Sequence, residues 1–278
     1  MGIARPPAVS GTFYPSSPAE ITDMISGFLS RVQGAHVPPG AVIIGGIVPH
    51  AGYIYSGQTA AYFYSTLRNI NAGKFMVIGP NHSSYPPEVS LYPGEEWITP
   101  LGRVRVDRSL YGNIGSAAHV RAAFNEMAHS KEHSVEVQIP FLQYIYGNRL
   151  EFAPIVMGDQ GADIARSLAQ SILSSHDMPV IIASSDLTHY EPLEVANRKD
   201  HSVLDAVVSL DTKRFYRTLM DKMITACGYG PIAVLMEITR QLNGRMRLLH
   251  YSTSFEASGD PGSVVGYASL VAYTGGEE

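Results

Sequence analysis

The chain has 278 residues, of which 45% are hydrophobic and 16% charged, so it can bury a sizeable core and is not expected to be disordered. Its formal net charge is −5 and it contains no basic run, which argues against nucleic acid as a main partner. No apolar stretch is long enough to span a bilayer and the first residues lack the core of a secretory signal, so we predict a cytoplasmic protein without a membrane partner.

Strand and helix patterns alternate along most of the chain. The first helix is predicted over 18–32, because its apolar residues recur with helical spacing after the start signal Ser17-Pro18. The next elements are strands near 42–48 and 75–79, helices at 56–69, 108–118, 132–146 and 161–175, a hairpin region at 88–106, strands near 151–157 and 179–183, helices at 192–209, 211–221 and 228–242, and two final strands within 248–257 and 263–273. This order predicts one α/β domain over residues 1–278, with a central, mostly parallel sheet flanked by helices.

Three apolar runs, each typical of a buried parallel strand, end in a histidine: His50, His82 and His189. In open α/β sheets, ligands bind in the crevice beyond the carboxyl ends of the strands. Three imidazoles at that edge indicate a metal site or an acid–base site. His50 and His82 can share one metal ion, because neighbouring parallel strands lie about 5 Å apart. Taken alone, His50 is more simply interpreted as a loop histidine that bonds a neighbouring carbonyl, and His82 alone is a similarly weak signal.

The segment SSDLTHY pairs a carboxylate with an imidazole. Asp186 and His189 are three residues apart, so one helical turn places both on one face. A carboxylate beside an imidazole fixes its tautomer and raises its basicity, which suits a general acid/base. The alternative is that Ser184, Ser185 or Asp186 only caps the following helix.

Two further residues can reach the same cleft. His133 begins the predicted helix 132–146, although a surface histidine near a helix start is the simpler interpretation. Cys227, the single cysteine, precedes a helix in which Pro231 is expected near the first position. Helix N-termini lower thiol pKa values, so Cys227 is a candidate thiolate ligand or nucleophile, and an inert buried thiol is the alternative.

The remaining histidines carry no predicted chemistry. Those expected in loops or on polar helix faces are His36, His119, His129, His176 and His201. His250 lies in a terminal strand, where a structural role is expected.

The motifs RPPAVSGTFYP, PHAGYIYSG, GPNHS, EHSVEVQIPFLQY, SSDLTHY, TACGYGP and SVVGYASL together resemble the Memo family. That family includes the mediator of cell motility in animals and relatives throughout archaea and bacteria. The resemblance runs from the N-terminal arm to the last strand. It implies a fold similar to the LigB-like class III extradiol dioxygenases, which use non-haem iron. It also implies a functional association with an AMMECR-type protein and a radical SAM protein.

The resemblance also implies residue roles. It gives the metal ligands as His50, His82 and Cys227. Asp186 and His189 match the family's conserved pair, His189 occupies the place of the catalytic acid/base of LigB-like enzymes, and His133 resembles a further pocket histidine. Cys227 stands where ring-cleaving dioxygenases have a carboxylate, and a thiolate is a softer ligand. Fe(II) is the metal expected first, with Cu and Zn as alternatives.

Three functions are therefore compared. The first is a metal-dependent, dioxygenase-like oxidoreductase acting on an unidentified small molecule. The second is a non-enzymatic adaptor that binds phosphotyrosine-type peptides or other anions in a vestigial cleft. The third is a hydrolase with Cys227 as nucleophile, His189 as base and Asp186 as its orienting group, which leaves His50 and His82 unexplained.

Overall fold

The computed structural model describes residues 4–83, 88–112, 114, 120–175 and 178–276. Within this part of the chain, twelve strands join into one sheet. The strands are β1 (Ala4–Arg5), β2 (Val42–Val48), β3 (Lys74–Pro80), β4 (Val89–Leu91), β5 (Glu96–Thr99), β6 (Gly102–Val106), β7 (Ala122–Phe124), β8 (Glu151–Met157), β9 (Val180–Ser184), β10 (His189–Glu191), β11 (Arg245–Thr253) and β12 (Val264–Thr274).

The α-helices of the described residues cover both faces of this sheet. They are α1 (Pro18–Ser30), α2 (Tyr53–Leu67), α3 (Glu126–Ser130), α4 (His133–Glu136), α5 (Ile139–Tyr146), α6 (Ala162–Leu173), α7 (Leu193–Val208), α8 (Thr212–Asp221), α9 (Tyr229–Gln241) and α10 (Phe255–Ser258). Among these residues, no helix combines the length and apolar character needed to cross a bilayer.

The centre of the sheet is parallel, in the order β6-β8-β3-β9-β2, and antiparallel pairs continue it through β12 and β11. Side chains of β3 alternate between two apolar layers, since Phe75 and Val77 pack with α1, α2 and α5 whereas Met76 and Ile78 pack with α6 to α9. The predicted α/β class and the mostly parallel sheet flanked by helices are confirmed.

Two predicted helices differ in the structure. The segment predicted as one helix over 132–146 is divided into α4 and α5, because Pro140 has no N–H to bond the carbonyl of Glu136. Within the predicted helix near 108–118, the structure shows a short 3-10 helix at Arg108–Tyr111, and residues 113 and 115–119 lie outside the described residues. Pro231 is the third residue of α9 rather than its first.

The prediction for His129 was wrong. This residue is fully buried in α3, where its Nε2 lies 3.1 Å from the carbonyl oxygen of Ser90. His36 and His201 are exposed as expected, and His250 stacks on Tyr62 with ring centroids 4.1 Å apart. His119 and His176 lie outside the described residues.

A buried ion pair ties the N-terminal arm to the segment that contains α4. Arg5 Nη1 donates to Glu136 Oε2 at 2.6 Å, and both side chains are almost fully buried. The same carboxylate accepts hydrogen bonds from the amides of Ala8 and Val9 and from the hydroxyl of Tyr14. One carboxylate therefore anchors the arm at four residues.

We predict that Glu136→Gln lowers the free energy of unfolding by about 3–5 kcal/mol, because the guanidinium of Arg5 stays buried without a counter-charge. The matched control is Glu96→Gln, which breaks the exposed pair with Arg103 and is expected to cost less than about 1 kcal/mol. Urea unfolding of both variants measures the difference. Equal destabilisation would contradict the anchoring role of Glu136.

The burial of His129 predicts a pH dependence of stability. Burial lowers the pKa of His129 from 6.5 to about 3, and the hydrogen bond to Ser90 offsets only part of this. Between these two values the unfolded chain binds a proton that the folded chain does not, so the free energy of unfolding falls as the pH drops from 6.5 towards 3. His129→Gln is expected to show a shallower slope in urea unfolding across this window, whereas His36→Gln keeps the wild-type slope. Identical slopes in all three proteins would refute the prediction.

Candidate metal centre

The carboxyl ends of β2, β3 and β9 meet at one edge of the sheet, as predicted. His50 follows β2, His82 follows β3, and Ser184 is the last residue of β9. The prediction that the first two strands are neighbours was wrong, because β9 lies between them and pairs with both. His50 and His82 still converge across its end, with ring centroids 5.4 Å apart.

Three potential ligand atoms converge at this edge. Ligand atoms of His50, His82 and Cys227 all lie within 4.8 Å of one another, and His50 Nε2 is 3.2 Å from Cys227 Sγ. Ligand atoms of a second group, His82, Glu132 and His133, also lie within 4.8 Å of one another. One cation can therefore contact two imidazoles and a thiolate together.

The tautomer of His50 follows from its surroundings. The hydroxyl of Ser184 donates its hydrogen to the carbonyl of Ser134 at 2.7 Å and accepts from Gln138 Nε2 at 2.9 Å. It can therefore only accept from His50 Nδ1, which lies 2.9 Å away. Burial and then the neighbouring histidines lower the pKa of His50 well below its usual value. The ring is neutral and presents the lone pair of Nε2 to the cluster.

His82 is oriented by a buried carboxylate. Glu132 accepts from His82 Nδ1 at 2.8 Å through one oxygen and from the His82 amide at 2.7 Å through the other. Burial raises the pKa of Glu132, but the hydrogen bonds and charge of His82 outweigh it and bring the value to about 2. Burial likewise lowers the pKa of His82, and the contact with Glu132 reverses this into a net rise. Nδ1 of His82 is thereby engaged, and Nε2 is left to ligate.

Backbone contacts hold Cys227 in place. Its amide donates to the carbonyl of Asp186 at 3.3 Å, and its carbonyl accepts from Gln160 Nε2 at 2.8 Å. Gly228 packs so closely on β9 that a Cβ there would lie 2.3 Å from the carbonyl oxygen of Ser184. The expected fall in thiol pKa was wrong: burial, followed by the charge of Asp186, raises the pKa of Cys227. The thiol of Cys227 is therefore protonated at neutral pH.

The spacing of Asp186 and His189 does not form a helical turn. His189 begins β10, and its Nδ1 faces the carbonyl of Thr225 at 3.0 Å, so Thr225 orients this ring. Asp186 instead accepts from the amide of His50 at 2.8 Å, and burial raises the pKa of its carboxyl to about 6. The capping alternative was also wrong, since Pro192 precedes α7 and Ser185 accepts from the amide of Gly228.

His133 faces the cluster, as its position at a helix start suggested. Its ring stacks on His82 with centroids 4.4 Å apart and meets the edge of His50 at 5.3 Å. Phe13 of the N-terminal arm covers the ring at 4.7 Å. Burial lowers the pKa of His133 to about 4, so it is neutral at physiological pH. It can accept a proton or hydrogen bond beside the candidate ligands.

Four residues around the cluster were not found from the sequence: Glu132, Gln138, Gln160 and Ser184. Glu132 and Gln138 lie in the motif that drew attention to His133. The position of Glu132 directly before His133 is the sequence feature that could have identified this carboxylate. Ser184 was considered only as a cap. Gln160 lies in a loop far along the chain from Cys227, and nothing in its sequence neighbourhood points to that contact.

The hydrogen bonds of Ser184 lead to a testable prediction. Ser184→Ala removes the acceptor that fixes the His50 tautomer, so divalent metal affinity is expected to fall about 10–100-fold. Titration with Co(II), followed by its thiolate charge-transfer absorption, measures this. The matched control is Ser171→Ala, a buried hydroxyl in α6 that donates to the carbonyl of Ser167, and it should leave the affinity unchanged. Equal affinities for Ser184→Ala and the wild type would contradict the role given to Ser184.

Sequence comparison with known proteins shows the family of this chain. The family model described as Memo-like protein matches residues 5–271. The MEMO1 family protein Ta0237 of Thermoplasma acidophilum is 44% identical over 271 residues, covering 96% of this chain and 98% of the relative. The MEMO1 family protein TV1383 of Thermoplasma volcanium is 41% identical, with 96% and 98% covered, and a MEMO1 family protein of Desulfurococcus amylolyticus is 42% identical, with 97% and 99% covered. The chain therefore belongs to the Memo family.

Proposed function

We propose that the protein is a metal-dependent oxidoreductase that holds Fe(II) at His50, His82 and Cys227. The observation that carries this proposal is the convergence of the three ligand atoms within 4.8 Å. Both imidazoles have Nδ1 engaged by a hydrogen-bond partner, which is the usual arrangement of histidines that bind a metal through Nε2. Two imidazoles and a thiolate suit Fe(II), Cu or Zn better than Mg or Ca. The donor set therefore fits the expected cofactor.

The charges around the cluster support a divalent cation. Glu132 is ionised, and the carboxyl of Asp186 lies in the same buried region, with Oδ2 4.0 Å from His50 Nε2. The thiolate of Cys227 would add a third negative charge. A divalent cation at this point would offset the charge of the thiolate and part of the charge of the two carboxylates.

Bound Fe(II) with three protein ligands would supply open positions for an electron-rich substrate and O₂. The chain's own residues would handle the proton. Nδ1 of His189 donates to the carbonyl of Thr225, so Nε2 of His189 is available to accept a proton from the substrate. Asp186 lies beside His50, and burial raises the pKa of its carboxyl to about 6, so this group can also exchange a proton near neutral pH. His133 supplies a second neutral imidazole beside the ligands.

The contacts of Cys227 disfavour the hydrolase. The histidine next to its sulfur is His50, at 3.2 Å, whereas His189 is held by Thr225. The raised pKa of the thiol also opposes a nucleophilic thiolate in the metal-free protein.

The association with AMMECR-type and radical SAM proteins stays a prediction, and co-purification from the native source would test it.

The metal proposal is tested by loading with Fe(II) under anaerobic conditions and measuring bound iron. We expect about one iron per chain in the wild type, and at least about a tenfold loss of affinity in His50→Ala and in Cys227→Ser, since each removes one of three ligands. His201→Ala, on the exposed face of α7, is the control for loss of any histidine. His189→Gln should also keep its iron, because this residue is assigned to proton transfer. No iron in the wild type, or undiminished iron in His50→Ala, would refute the proposal.

A further inference from the structure

A cavity of about 700 Å³ lies between α6, α8 and α9, and none of its lining residues belongs to the candidate metal centre. Cations reach it from all three helices. They are Arg166 from α6, Lys213 and Arg217 from α8, and Arg240 from α9. The lining also contains two carboxylates, Asp211 and Glu237. Four basic groups gather here in a chain whose formal net charge is −5.

Both carboxylates are already engaged. Asp211 caps α8 by accepting from the amide of Arg214 at 2.9 Å. Glu237 is nearly buried and accepts from Arg240 Nη2 at 2.7 Å. Arg166 pairs outside the cavity with Asp163, whose side chain is 91% exposed, so water screens that pair strongly. With the charges of both carboxylates counted, the four cations still leave a formal surplus of two positive charges in the cavity lining.

Lys213 and Arg217 carry most of that surplus. Among the described residues, no carboxylate forms an ion pair with either side chain. They are four residues apart in α8, so they lie on the same face, and like charges at this spacing destabilise a helix by a few tenths of a kcal/mol. An anion between them would turn this repulsion into attraction.

We propose that this cavity binds a small molecule that carries a phosphate group. Its volume falls in the range of small-molecule sites. Three of its four cations are arginines, whose planar guanidinium matches two phosphate oxygens at once. Tyr216 adds an aromatic wall, and its ring is held because its hydroxyl donates to the carbonyl of Gln160 at 2.7 Å. An acidic peptide is the competing ligand, and the test below distinguishes it from a phosphate compound.

The test uses inorganic pyrophosphate as the probe and isothermal titration calorimetry on the metal-free full chain. The wild type is expected to bind with a Kd below about 1 mM, and Lys213→Gln with Arg217→Gln to weaken binding at least about tenfold. The matched control neutralises Arg103 and Arg105, two exposed arginines of β6, and should bind as the wild type does. Cys227→Ser should also bind normally, which separates this site from the metal centre.

Several results would overturn the proposal. They are absence of binding to the wild type, an equal loss in the Arg103/Arg105 control, loss of binding in Cys227→Ser, or tighter binding of an oligoglutamate peptide than of pyrophosphate. Lys213 and Arg217 are exposed, so their double variant should keep the wild-type melting temperature. Lys213→Gln alone provides a second variant with a smaller loss in the same direction.

Discussion

The hydroxyl of Ser184 connects the architecture of the sheet to the chemistry of the cluster. Parallel pairing places β9 between β2 and β3, and β9 ends at the point where His50 and His82 converge. The strand supplies no metal ligand. It supplies a hydroxyl whose single hydrogen goes to a backbone carbonyl, so the remaining lone pairs can only accept. The fold thereby fixes both the position and the tautomer of His50, and the lone pair that a cation needs is already directed at Cys227 before any ligand arrives.

The second histidine depends on the same principle but on a charged partner. Glu132 precedes α4, a helix of four residues that is too short to be stable alone. Arg5 binds the carbonyl of Glu132 and the carboxylate of Glu136, so the N-terminal arm stabilises this helix from outside. The contacts that hold the arm therefore also hold the carboxylate that orients His82. The stability of the arm and the geometry of the cluster are therefore linked through α4, and a substitution in the arm would change the orientation of His82.

The sequence predicted most of the helices and strands but not how they meet. Apolar runs ending in histidine identified β2, β3 and the region after β9, because burial on both faces leaves a continuous hydrophobic pattern. Their order was not predictable, since nothing in the local pattern states that β9 separates β2 from β3. The spacing of Asp186 and His189 fits a helical turn, yet the pairing of β10 with β12 keeps this segment extended. The contact of Glu132 with His82 joins residues 50 positions apart, and only the folded chain shows it.

The protonation of Cys227 bears on why a thiol occupies this place. Burial and Asp186 raise its pKa, so without a cation the sulfur is protonated and a poor nucleophile. A cation held by Cys227, His50 and His82 would replace that proton and supply the charge opposite to that of the thiolate. A carboxylate in the same position would favour harder metals. With the proposed metal site, the thiol would make ionisation of Cys227 conditional on a metal that tolerates sulfur, and this would restrict the cations that the cluster can hold.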